Sequence, residues 1–169
     1  MKSCFSITIL FAIVGISVLS RAESAAKHVH GNATLQISLE KNDKVVLALA
    51  LPGESAVGFE HEPQGPAEIQ KFQATENLLK EKFANLVQAP AAADCIWGNP
   101  RVLVDYSQKG HSMWKVDIFA VCAKPLAKQT IRFAFAEHFP ALTNLSVTVR
   151  AEKSASTTEI KKGSGDLVL

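Results

Sequence analysis

Most of what catalysis would need is missing from this chain. Its 169 residues hold no Gly-Xaa-Ser-Xaa-Gly elbow, no phosphate-cradling glycine loop and no His-Glu-Xaa-Xaa-His pair, so the common routes to acyl, phosphoryl and zinc-hydrolase chemistry have no motif to rest on. The expectation is a protein that is not an enzyme. Charge of one sign is lacking too: 18 basic residues face 16 acidic ones. Two of the basic residues, Lys2 and Arg21, lie in the first 22 positions, and without them the balance is 16 against 16. That excludes a nucleic-acid-binding surface built on net charge. A membrane span is lacking as well, because the longest apolar run, Phe5 to Leu19, is too short to cross a bilayer comfortably.

That run has a different use. Lys2 stands before it and small residues follow it, the layout of a secretory signal peptide. A cut after Ala22 satisfies the small-x-small rule through Ser20 and Ala22, and a cut after Ala26 does so through Ser24 and Ala26. Residues 1–22 are therefore expected to be removed, with 26 as the second cleavage position, leaving one exported domain over 27–169 with no membrane span. An uncleaved anchor is the alternative. Cys4 precedes the run, where it cannot become a lipoprotein's first mature residue. The cysteines left, Cys95 and Cys122, form an even pair in an exported chain and read as a disulfide.

The remaining pattern is rich in strands. Ala33, Leu35, Ile37 and Leu39 alternate with polar residues, Lys41 to Lys44 make a turn, and Val45 to Leu51 is apolar on both faces up to Pro52-Gly53. These predict a hairpin whose second strand is covered on both sides. Gly65 at the cap and Pro66 at the first position open a helix, with Ile69, Phe72, Leu79, Phe83, Leu86 and Val87 on one stripe. Cys95 to Tyr106 is a strand interrupted at Asn99-Pro100, and His111 to Cys122 returns beside it. If Tyr106 faces His111, Cys95 faces Cys122, at a separation a disulfide tolerates; a bulge at Pro100 would slip that register by one. Thr130 to Ala136 and Leu145 to Val149 are further strands, Ser154 to Thr157 a loop, and Thr158–Lys161 with Asp166–Leu169 a last hairpin. The fold class expected is α+β, a mainly antiparallel β-sheet with one long amphipathic helix packed on it.

Five histidines carry what chemistry there is. His28 and His30 are two apart, so an extended backbone points both imidazoles to one side, a two-toothed claw for a metal. His61 lies in a loop beside Glu60, and His111 at a hairpin tip. Zinc takes three or four such nitrogen and oxygen ligands. Ligating imidazoles must be neutral, so affinity should fall below about pH 6.5. His138, between Glu137 and Phe139, reads as exposed, and Trp97 and Trp114 as core rather than a stacking platform. Cleavage after Ala25 would leave Ala26-Lys27-His28, an amino-terminal copper motif, but Glu23 at the minus-three position opposes that cut.

His28-Val29-His30-Gly31-Asn32-Ala33 leading into a strand, Leu51-Pro52, and Val57-Gly58-Phe59-Glu60-His61-Glu62-Pro63 resemble the ZrgA family of periplasmic zinc-uptake proteins. The likeness continues through Asp94-Cys95, His111-Ser112, Val121-Cys122-Ala123 and Phe139-Pro140-Ala141-Leu142. The resemblance implies a periplasmic zinc-binding protein that assists uptake or homeostasis. Its implied ligands are His28, His30, His61 and His111, with Glu60, and its implied partners are a zinc ion and a zinc transporter component of the inner membrane. One departure stands out. Many members carry a long His-rich insertion between the cysteine-bearing strands, whereas here only Ser107 to Gly110 precede His111, and a further family histidine is Lys115. A small zinc site is expected, not a reservoir. The rival reading is a disulfide-stapled envelope interaction module with incidental histidines.

Overall fold

Alternating apolar residues build the larger of two sheets. The structure is a computed structural model and describes residues 30–107 and 110–169; the segment expected to be a signal peptide, both expected cleavage positions and His28 lie outside the described residues. The large sheet contains β1 (Asn32–Leu39), β2 (Lys44–Pro52), β4 (Cys95–Trp97), β5 (Arg101–Asp105), β6 (Met113–Cys122), β8 (Asn144–Ala151) and β9 (Ser154–Lys161), in the order β4-β6-β2-β1-β8-β9 with β5 also on β6. A smaller sheet contains β3 (Val87–Gln88), β7 (Thr130–Ala134) and β10 (Ser164–Val168), in the order β10-β7-β3. The helices are α1 (Gly53–Val57), α2 (Gly65–Glu81) and α3 (Phe83–Leu86). The fold is α+β and mainly β.

The β1–β2 hairpin forms where expected. Asn42 and Asp43 take φ of 58° and 55°, the left-handed values that their short polar side chains tolerate. Among the described residues every strand pair is antiparallel except one, β1 with β8, which run parallel from Asn32↔Asn144 to Ser38↔Arg150. The inward row of Leu35, Ile37, Leu47, Leu49, Trp114 and Val116 joins Leu79, Phe83, Ile131 and Phe133 in one contiguous buried cluster. Burying such side chains stabilises the fold by roughly 1.5–3 kcal/mol each.

Four expectations are corrected. The small residues Val46, Ala48 and Ala50 of β2 are only half-buried; they lie on the sheet's open face, where Ala48 and Ala50 floor a trough edged by Leu103, Lys115 and Arg150. The stripe read as one helix is shared by three elements, since the chain leaves helical geometry at Lys82 (φ −127°, ψ 22°). Helix α2 buries only Thr75 and Leu79, while Ile69 is 43 % exposed; Gln64 is its cap, one residue earlier than expected. Ser154 to Thr157, read as a loop, begins β9, an exposed polar edge strand. Finally, β9 and β10 do not pair as a hairpin. The turn at Lys162-Gly163 carries the chain from β9, paired with β8 in one sheet, to β10, paired with β7 in the other.

Cys95 and Cys122 stand opposite one another and are bonded, across 27 residues of chain. The register that led to them was one residue off at its start, because β5 pairs Asp105 with Met113. The break at Gly98-Asn99-Pro100 absorbs that residue before β4 pairs Cys95 with Cys122.

Candidate metal site

Three titratable residues gather just past the ends of the ladders. His30 lies two residues before β1, Glu54 two residues after β2 and His111 two residues before β6. The side chains meet there: His30 Nδ1 contacts Glu54 Oε2, and the His30 and His111 rings lie 5.5 Å apart between centroids.

Local structure holds each of them. Gly31, at φ 75°, presents its carbonyl to the N–H groups of Thr143 (2.8 Å) and Asn144 (3.0 Å) and to Thr143 Oγ1 (2.9 Å), which pins the chain just after His30. Pro52 stops β2 and α1 begins at once, placing Glu54 in its first turn. Gly58, at φ 85°, caps α1 in the left-handed conformation that glycine adopts without steric cost and turns the 59–62 loop back over the site. Glu60 from that loop accepts from the Glu54 N–H at 3.1 Å and the Ser112 N–H at 2.5 Å.

Among the described residues, His30, Glu54 and Glu60 form a group whose ligand atoms lie within 4.8 Å of one another. One imidazole and two carboxylates suit zinc, whose ligand bonds of about 2.0–2.2 Å place tetrahedral donors about 3.3 Å apart. The exposed His30 and Glu54 side chains can close that difference. An imidazole nitrogen and a carboxylate oxygen in contact also need a proton or a cation between them, since two bare acceptors repel. The donor set fits the metal.

Of the residues expected from sequence, the structure brings His30 and Glu60 together, with His111 beside His30. His61 is not in the three-residue group. Its ring stacks on Phe59 at 5.2 Å between centroids, and its Nδ1 lies 2.9 Å from the Glu62 carbonyl and 3.7 Å from Glu68 Oε2. Because a carbonyl only accepts, Nδ1 is the donor in that contact. His61 instead lines an adjoining pocket of about 400 Å³ with Glu60, Glu62, Tyr106, Gly110 and His111. Burial, and then the Glu62 charge, push the Tyr106 hydroxyl above its ordinary pKa, so it stays a phenol. His138 is exposed. Lys115, at the departure from the family pattern, pairs with Asp105 at 2.7 Å and holds that carboxyl well below the usual range, with help from Ser107.

Glu54 is the residue that reading the sequence missed. Pro52-Gly53 marked only the end of a strand, and nothing in the pattern announced the short helix α1 that carries Glu54. No helix among the described residues is long and apolar enough to cross a membrane. Comparison with curated proteins gives no match. The model of the ZrgA family zinc uptake protein, however, matches residues 27–169. With the family motifs on the strands and loop that carry His30, Glu60 and His111, the chain belongs to the ZrgA family of zinc uptake proteins.

Proposed function

We propose that this protein binds zinc in the periplasm and serves zinc uptake as a binding protein, not as an enzyme. The observation that carries the reading is the convergence of His30, Glu54 and Glu60, from three separate segments, on a space one cation can fill. His111, beside His30, and His28, outside the described residues, are the further ligands that the family resemblance implies. Cys95–Cys122 and the family membership support an exported protein, since disulfides persist in oxidising compartments. Exposure of the His30 and Glu54 side chains, at 62 % and 49 %, suits a cargo that must be given up to a partner, here a zinc transporter component of the inner membrane.

Calorimetric titration of the metal-free exported chain at neutral pH tests this. One zinc ion per chain is expected, with uptake lost when His30 and Glu54 are both replaced by Ala. Absence of zinc binding by the unaltered chain would sink the reading and favour the interaction module. The separation that would favour that module, His30 more than about 10 Å from both His61 and His111, is not what the fold gives: the His30 and His111 rings lie 5.5 Å apart.

A further inference from the structure

Glu60 ties the site together, and its own anchor is Ser112. Oε2 of Glu60 accepts two donors from that one residue, the main-chain N–H at 2.5 Å and the hydroxyl at 3.2 Å. Oε1 accepts the Glu54 N–H at 3.1 Å. Ser112 is 3 % exposed, and its carbonyl accepts the Gly53 N–H at 2.9 Å. One carboxylate thus fastens the end of β2, the 58–62 loop and the approach to β6. The fit leaves no space: a Cβ on Gly53 would stand 1.9 Å from Ser112 Oγ, 2.8 Å from the Phe59 carbonyl oxygen and 3.0 Å from Glu60 Oε2.

From this clasp we infer that Ser112 is a positioning residue for the metal site, acting through Glu60, with Gly53 supplying the room it needs. The inference rests on the zinc reading. An ionised carboxylate offers about four lone-pair positions. Ser112 takes both on Oε2 and the Glu54 N–H takes one on Oε1, so Glu60 meets a cation through one oxygen, on the side of Glu54 and His30. The Glu54 and Ser112 N–H groups hold one oxygen each; the Ser112 hydroxyl, as second donor on Oε2, fills that oxygen and leaves Oε1 to the cation. Outer partners of this kind orient a ligand, and their loss typically costs about 10–100-fold in metal affinity.

The test compares the unaltered chain with Ser112→Ala, Gly53→Ala and, as a control, Thr75→Val, which removes another buried hydroxyl, one bonded to the Ala56 carbonyl at 3.3 Å. Each is titrated with zinc and with cobalt(II), whose visible spectrum reports ligand geometry, and each is unfolded in urea. Ser112→Ala should weaken zinc about 10–100-fold and alter the cobalt spectrum, with Gly53→Ala acting in the same direction, while Thr75→Val leaves both unchanged at a similar loss of stability. Unaltered affinity and spectrum in Ser112→Ala, beside an unaltered chain that binds zinc, overturn this inference alone. Should Ser112→Ala not fold, the same two readings on Gly53→Ala decide it. An unaltered chain that takes up no zinc brings down the zinc reading and this inference with it.

Discussion

The two ends of the large sheet are closed by opposite means. At one end Cys95 and Cys122 join β4 to β6 covalently, next to buried Ala93 and Leu126, and the Cys122 N–H donates to the Asp43 carbonyl at 3.1 Å. At the other end the same strands β2 and β6 finish at Pro52 and Met113, and closure falls to polar groups: Gly31 held by Thr143, and Glu60 held by Ser112 and Glu54. A disulfide keeps its geometry without any ligand. A carboxylate clasp beside an exposed histidine is a closure that a cation can tighten and then leave. The covalent end gives the sheet its constancy, and the polar end holds the group that could take a metal ion.

This contrast can be broken in a definite order. Replacing Cys95 and Cys122 with Ala should lower unfolding stability by about 3–4 kcal/mol, from the loop closed across 27 residues. Urea unfolding measures that loss, and zinc affinity should stay within about threefold if the two ends are independent. A collapse of affinity would show that the site depends on the far end. His30→Ala combined with Glu54→Ala should do the reverse. If structural zinc is bound by on the order of 10 kcal/mol shared among its ligands, loss of two costs more than about a hundredfold in affinity. Because both side chains are exposed, stability should change by no more than about 0.5 kcal/mol.

Gly31→Ala sharpens the polar end. At φ 75° a new Cβ would lie 2.6 Å from Thr143 Oγ1, so a loss of about 1–2 kcal/mol is expected from the backbone strain alone. Zinc affinity should fall alongside, as His30 is displaced; retained affinity would show that the pinning of Gly31 does not govern His30. The smallest effect belongs to His61→Ala. Since His61 stands outside the His30–Glu54–Glu60 group, equilibrium affinity should change by less than about threefold, below the cost of an outer partner of a metal ligand. A loss as large as that from His30→Ala would move His61 into the coordination sphere.

Much of the covalent end was legible because its determinants are local. Period-two alternation in Ala33–Leu39 and Trp114–Cys122 names the buried face, and a short turn dictates register, so Cys95 could be set against Cys122. Even there the slip at Pro100 cancelled an error of one residue at the hairpin tip. The polar end was half legible. His30, Glu60 and His111 were visible as chemistry, whereas Glu54 was hidden behind Pro52-Gly53, in a helix too short to leave a periodic pattern.

Sequence alone determined the inward rows of β1 and β6, the turn at Asn42-Asp43, the disulfide pair and the family. Those follow from steric periodicity, turn chemistry and motif, all short-range. Tertiary structure decided the parallel pairing of β1 with β8, the division of one apolar stripe among α2, α3 and β3, and the separation of β9 from β10 into different sheets. An alternating strand specifies a buried face but not the neighbour beside it, because main-chain hydrogen bonds are the same for every partner. The metal group was decided at that level too: His30, Glu54 and Glu60 become one site only when β1, β2 and β6 end together and Ser112 turns Glu60 toward them.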